Sequence, residues 1–232
     1  MSASGGPDLV TNGLVLCLDA GNRKSYPGSG DTWRDLSGYG NDGTLIDGPS
    51  FDAANGGSIV FNGDNYASIP FSAQFPTGSN ARSMCAIFNA NTLEGGRELF
   101  GIGNNEYNGS RSALWLDASG YIGVECLFSS VQTNEWAGIN NWVFLSATYA
   151  AGGSTHAFKI FINGLQKSAT TFDDAYDLDT TSEDCTVATV PGATFAHRFS
   201  GNISFVSLYN RELLPSEILQ NYKALKGRFL LT

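Results

Sequence analysis

The sequence predicts an all-β protein, a two-sheet antiparallel sandwich closed by one short C-terminal helix. Three observations predict it. Charged residues are only 15% of the 232, while aromatics reach 12% and glycine 28 residues; soluble domains average about 25% charged and about 7% glycine. Short apolar segments recur between clusters of Gly, Asn, Asp and Ser, as strands joined by tight turns require. A helical spacing of apolar residues occurs near the C-terminus. With 42% hydrophobic residues the chain can bury a core, which excludes intrinsic disorder. Its length suits one all-β domain of roughly 200–250 residues.

The elements follow in chain order. Residues 14–18, Leu-Val-Leu-Cys-Leu, read as a strand ended by Asp19. Residues 33–44 form a loop dense in Gly, Asn and Asp, which tolerate positive φ. Residues 58–62 and 66–69 read as a hairpin around Gly63-Asp-Asn65, with Ile59 and Phe61 on one face by the two-residue period. Further strands are expected over 83–88, 98–103, 112–116 and 121–129. Residues 141–149 are apolar on both faces, as a central strand is. Residues 156–162 and 165–171 flank Asn163-Gly164, the favoured type I′ pair because both positions need positive φ. Residues 195–199 and 203–209 form a last pair around a turn at 200–202. Over 215–225, Ile218, Tyr222 and Leu225 share one helical face. Pro215 and Glu217 suit the first turn of that helix, and Lys223, Lys226 and Gly227 its end.

The charge balance, 13 basic against 22 acidic residues for a net −9, argues against nucleic acid, whose phosphates require clustered Lys and Arg. The apolar runs are too short to cross a bilayer, so no membrane partner is expected. The first residues carry neither a basic nor an apolar signal segment, so synthesis in the cytoplasm without a standard secretory signal is expected. Cys17, Cys85, Cys126 and Cys185 lack CxxC spacing. Two disulfides would need an oxidising compartment, and buried free thiols acting as small hydrophobes are the preferred reading.

Patterns for catalysis and metal binding are missing. Gly38-Tyr-Gly-Asn-Asp-Gly43 matches GxGxxG, but Thr44-Leu-Ile-Asp-Gly-Pro49 cannot start the helix that a dinucleotide site needs, so these glycines read as turn residues. Glycoside hydrolysis needs two carboxylates flanking the scissile bond. No Glu-x-Asp-x-Glu or Glu-x-Asp-x-x-Glu stretch occurs, Glu94 and Glu98 are split by Gly95-Gly96-Arg97, and Glu125 stands alone before Cys126. With no GxSxG, no HExxH, and His156 and His197 in separate strands, neither a triad nor a zinc site is expected. Residues 173–184 hold six acids without the glycine an EF-hand requires, and read as a solvated acidic loop. The protein is therefore read as no enzyme, with no catalytic residue, metal site or cofactor. Sugar binding would use exposed aromatic faces beside amides and hydroxyls. Tyr66, Trp115, Tyr121 and Trp136 are the candidates, each of which also fits a core role, whereas Trp33 and Trp142 read as core.

Three stretches carry a family resemblance: the loop Asp35-Leu-Ser-Gly-Tyr-Gly-Asn-Asp-Gly-Thr44, the segment Gly57-Ser-Ile-Val-Phe-Asn-Gly-Asp-Asn-Tyr66, and Gly201-Asn-Ile-Ser-Phe-Val-Ser-Leu-Tyr-Asn-Arg-Glu-Leu213 with Glu217-Ile218. Their order and spacing resemble the LamG-like, concanavalin A-type jelly roll from about residue 13 to 222. Gly5-Gly-Pro7, the segment from Gly13 to Tyr26 and the segment from Gln220 to Phe229 further resemble LamG-type structural proteins of tailed phages, marine cyanophage-like ones in particular. The resemblance implies two curved antiparallel sheets and a role in the virion. Family members often carry Phe-Asp-Gly followed by Asp-Tyr where this chain has Asn62 and Asn65, and amides in place of carboxylates weaken the case for a structural calcium ion. The strand at 83–88 also lacks the Trp often found there.

The expected organisation is a docking arm over 1–12, the jelly roll over 13–213, and the helix with an apolar tail over 214–232. Gly5, Gly6, Pro7, Phe229, Leu230 and Leu231 are the expected assembly contacts, to other virion proteins or to further copies in a homo-oligomer. The expected function is that of a non-enzymatic structural protein on the head or tail surface of a virion, its loops facing solvent or host glycans. A free carbohydrate-binding lectin is the alternative.

Overall fold

The computed structural model describes residues 7–93, 97–190 and 198–229. In chain order its strands are β1 (Leu14–Asp19), β2 (Thr32–Trp33), β3 (Gly43–Ile46), β4 (Ser50–Asp52), β5 (Ser58–Asn62), β6 (Tyr66–Ile69), β7 (Arg82–Ala90), β8 (Arg97–Gly103) and β9 (Arg111–Leu116). They continue as β10 (Tyr121–Glu125), β11 (Ser129–Trp136), β12 (Trp142–Tyr149), β13 (Lys159–Ile162), β14 (Leu165–Lys167), β15 (Ala169–Asp173), β16 (Cys185–Val187) and β17 (Ser200–Tyr209), before helix α1 (Pro215–Leu225). Two antiparallel sheets result. The back sheet runs β14-β13-β12-β7-β17-β5-β4, with β1 also paired to β17; the front sheet runs β15-β11-β10-β9-β8-β16-β6-β3-β2.

Strand alternation divides the apolar residues into two clusters. Between the sheets, Met84, Ala86 and Phe88 of β7 and Leu145 and Ala147 of β12 pack against Leu114, Leu116, Ile122 and Val124 of the front sheet. Phe88 meets Phe199 edge-on, with ring centroids 6.2 Å apart. The intervening residues Cys85, Ile87, Phe144, Phe205 and Tyr209 point out of the back sheet and are covered by Ile218, Tyr222 and Leu225 of α1, by Phe229 and by Val10. That third layer explains why β12 is apolar on both faces.

Polar contacts hold the layer in place. Glu217 accepts the Leu214 N–H at 2.8 Å and two bonds from Arg211, at 2.8 and 2.6 Å, which fixes the helix start. Val10 N–H donates to Asn221 Oδ1 at 2.9 Å, and the Tyr209 hydroxyl donates to the Val10 carbonyl at 2.9 Å. Arg228 grips Asp19 with two bonds of 2.8 Å. The loop after β2 is held by Asp35, whose carboxylate accepts from the Cys17, Ser37 and Asn41 backbones, while Asn41 donates to the Val15 carbonyl. The GxGxxG stretch is a turn: Gly38 and Gly40 have φ of 96° and 75°, and Gly43 enters β3.

Several expectations are corrected. Residues 58–62 and 66–69 are not a hairpin, because β5 lies in the back sheet and β6 in the front sheet. Asn65 Oδ1 accepts the Asn62 N–H at 3.1 Å and bends the chain from one sheet to the other. The stretch 121–129 divides into β10 and the start of β11 at Leu127 and Phe128; β11 was missed because Ser130 and Gln132 alternate with little apolar material. Asn163-Gly164 does form the two-residue turn, with φ of 51° and 79°. The second strand of that hairpin stops at Lys167, and residues from Ala169 cross to the front sheet as β15. Residues 200–202 belong to β17 rather than a turn, and residues 195–197 lie outside the described residues. All four cysteines are free and buried; burial pushes the Cys85 thiol up to about 11.

Candidate functional site

The outer face of the front sheet follows from register. Glu98 on β8 lies opposite Trp115 on β9, Trp115 lies opposite Gly123 on β10, and Ala113 lies opposite Glu125. The same alternation that sends Leu114, Leu116, Ile122 and Val124 inward therefore sends Glu98, Arg111, Trp115 and Glu125 outward together. Two glycines make room for them. A Cβ at Gly123 would stand 3.2 Å from Trp115 Nε1 and collide with the Val131 carbonyl, so the indole can lie across β10 only because that position is bare. A Cβ at Gly101 would stand 3.1 Å from Glu98 Oε2. The result is a cavity of about 330 Å³ lined by Glu98, Arg111, Trp115, Glu125, Phe128 and Asp173, among others.

Arg111 organises its charges. Nε donates to Glu125 Oε2 at 2.6 Å, Nη2 donates to the same oxygen, and Nη1 donates to Asn105 Oδ1. Nη2 also lies 3.0 Å from Glu98 Oε1, in a geometry that makes an ion-pair contact but no hydrogen bond. Glu98 is 2% exposed, and neither of its carboxyl oxygens has a hydrogen-bond partner among the described residues. Burial pushes its pKa up to about 8, with Arg111 opposing and Glu125 adding to the rise. Trp115 Nε1 is likewise buried without a partner. Buried polar groups are rarely left so, and two lining one cavity are available to a ligand.

The carboxylates that sequence spacing kept apart are thus brought together: Glu98 and Glu125 flank β9 and meet at one guanidinium. They lie on strands two places apart in the sheet, a relation that no local motif encodes. Arg111 was missed for the same reason.

The four predicted aromatics do not form one site. Trp115 lines the cavity. Tyr121 and Trp136, 39% and 60% exposed, face each other across β10 and β11. Trp136 stacks over Gly120 and lines a separate groove of about 740 Å³ with Trp142 and Tyr222. Three polar side chains of that groove are engaged: Glu135 pairs with Lys167 at 3.1 Å, and Asn163 accepts the Phe144 N–H at 3.1 Å. Tyr66 is half-buried, with the Arg198 guanidinium 5.4 Å from its ring centre. Trp33 is fully buried in the core, as expected, whereas Trp142 is half-buried outside the back sheet.

Of the expected assembly contacts, Phe229 is corrected: it is buried, 4.8 Å from the Trp142 ring, and roofs the back sheet instead of presenting an open patch. Pro7 is exposed, and Gly5, Gly6, Leu230 and Leu231 lie outside the described residues. Among the described residues no three His, Cys, Asp or Glu side chains gather as a metal site.

Residues 51–219, well over half of the 232, match the Laminin_G_3 family, the concanavalin A-like lectin/glucanases superfamily. The chain belongs to this superfamily. Solved structures of similar fold include domain 4 of AbnA, a GH43 extracellular arabinanase from Geobacillus stearothermophilus in complex with arabinotriose, at TM-score 0.66 and 16% identity over 90% of this chain and 98% of that one. Trypanosoma rangeli sialidase in complex with 2,3-difluorosialic acid matches at TM-score 0.68 and 18% identity, over 96% of this chain but 34% of the sialidase. Botulinum neurotoxin type C matches at TM-score 0.66 and 13% identity, over 93% of this chain and 52% of that one. At these identities the likeness is one of fold. Among curated proteins no sequence matches this chain.

Proposed function

We propose that this concanavalin A-like sandwich is a non-enzymatic glycan-binding protein that takes its sugar in the cavity between Glu98 and Phe128. The observation that carries the reading is the cavity's lining, an indole laid against the sheet beside a buried carboxyl without a hydrogen bond. Sugars present C–H faces to aromatic rings and hydroxyls that both donate and accept. The arabinanase domain was solved with arabinotriose, and the neurotoxin is one whose cell entry depends on two ganglioside molecules, which supports a sugar as the ligand class. Catalysis is disfavoured by the use made of the carboxylates. A glycosidase sets one on each side of the scissile bond, whereas Glu98 and Glu125 both face Arg111 and Glu98 is buried. A glycan array with wild type and Trp115→Ala tests the reading: specific binding lost in the variant supports it, and a blank wild-type array overturns it. Sugar release by wild type that disappears in Glu98→Gln would overturn the non-enzymatic part.

The setting we propose is the head or tail surface of a tailed-phage virion. The segments that resemble phage structural proteins, 13–26 and 220–229, are joined by the Arg228–Asp19 pair. They lie on the helix-covered back sheet, remote from the cavity, which suits attachment by one face and sugar binding by the other. The arm ahead of Val10 and the tail beyond the buried Phe229 would make that attachment, to other virion proteins or a second copy. Mass spectrometry of purified particles should find the protein in fixed stoichiometry, and its absence would overturn the setting.

A further inference from the structure

Between β10 and β11, Cys126 and Ser129 flank the two turn residues Leu127 and Phe128, with the Cys126 N–H donating to the Ser129 carbonyl at 2.7 Å. Both central residues have positive φ, 48° and 54°. This is the type I′ arrangement, which favours Asn-Gly because left-handed backbone crowds a Cβ. The chain uses Asn163-Gly164 for its other such turn. At 127–128 it instead carries two bulky apolar residues in a backbone that neither prefers. Strain of this kind persists where surrounding structure enforces it, and it gathers at ligand sites.

The turn holds Phe128 67% exposed at the rim of the cavity, where the fold gives the ring no interior to occupy. Below the rim lie the Glu98 carboxyl, which touches only Arg111 and without a hydrogen bond, and Trp115 Nε1, both buried and neither hydrogen-bonded among the described residues. Arg111 is taken up by Glu125 and Asn105, and Arg97 at the edge is also engaged. The cavity therefore offers an aromatic face, one indole donor, the carboxyls of Glu98 and Asp173, and, among the described residues, no cation without a partner for an acidic group. An uncharged ring with one C–H face and several hydroxyls matches that set.

We propose that Phe128 is the stacking platform of the cavity, held over it by a strained turn, and that the ligand is a neutral sugar residue whose hydroxyls reach Glu98 and Trp115. This rests on the glycan-binding reading and names its ligand class and a binding residue.

The test replaces the pair by the residues the turn prefers, Leu127→Asn with Phe128→Gly, beside Phe128→Tyr. Binding is measured on neutral oligosaccharides, including arabinotriose, and on sialylated ones. The double variant should melt at a higher temperature than wild type, because the strain is relieved, and bind neutral sugar at least tenfold more weakly. Phe128→Tyr should keep its affinity. A double variant that binds as wild type does, or that melts lower, overturns the platform while leaving the glycan-binding reading intact. Preference of wild type for sialylated sugars overturns the ligand class. Failure of wild type to bind any sugar overturns the underlying reading instead.

Discussion

The two sheets turn different chemistry outward. The back sheet presents Cys85, Ile87, Phe144 and Phe205, and α1 with Phe229 and Val10 covers them. The front sheet presents Glu98, Arg111, Trp115 and Glu125, and among the described residues no helix covers them. Both faces obey the same two-residue alternation, so the difference lies wholly in what fills the outward positions. On the back, apolar outward residues call for a third layer and make stability. On the front, a buried carboxyl and a buried indole N–H lack hydrogen-bond partners in a cavity, which lowers stability and suits the proposed ligand site.

The comparison can be broken by substitutions that should act on one face alone. The largest effect is expected on the back. Phe144→Ala, beneath Tyr222 with ring centroids 6.0 Å apart, should lose about 3–5 kcal/mol of stability in urea unfolding, with sugar affinity unchanged. On the front, Trp115→Ala should weaken sugar binding at least tenfold, about 1.4 kcal/mol, measured by calorimetry, with a smaller loss of stability than Phe144→Ala. A large binding loss in the back-sheet variant would mean that the faces are coupled.

Glu98 sharpens the comparison through pH. The unfolded carboxyl titrates near about 4.3, and the folded one near 8. Between these values the folded state holds a proton that the unfolded chain has released, so stability falls as pH rises through that window and levels off above it. Urea midpoints across the window should show this decline, and Glu98→Gln should flatten it. The smallest effect is expected at Arg228→Ala. Its pair with Asp19 is part-exposed and should be worth at most about 1 kcal/mol, without any change in sugar binding.

Local chemistry was legible in the sequence, and partnership between distant strands was not. Asn163-Gly164, the face of Ile218, Tyr222 and Leu225, and the double-sided apolar run of β12 each carry their signal within a few residues. The segment from Ser58 to Ile69 has the same hairpin-like pattern, yet β5 pairs with β17 and β6 with β16, because alternation says which face a strand buries and nothing of its partner. Trp115 could be named as a candidate from its type and alternation. Its neighbours Glu98 and Glu125 could not, because three strands separated by loops must align before they share one guanidinium. Phe128 was hidden differently: a Leu-Phe pair carries no turn signal, since the fold imposes a backbone that those side chains disfavour.

The indole N–H signals of the four tryptophans distinguish the two faces directly in a ¹H–¹⁵N spectrum. On titration with arabinotriose, or with the best neutral oligosaccharide from the array, the Trp115 signal should move most, as its unpaired N–H gains an acceptor, while the buried Trp33 and the back-sheet Trp142 stay in place. Movement of Trp136 and Trp142 with Trp115 unchanged would place the sugar in the groove beside α1 and contradict the assignment of the front-sheet cavity.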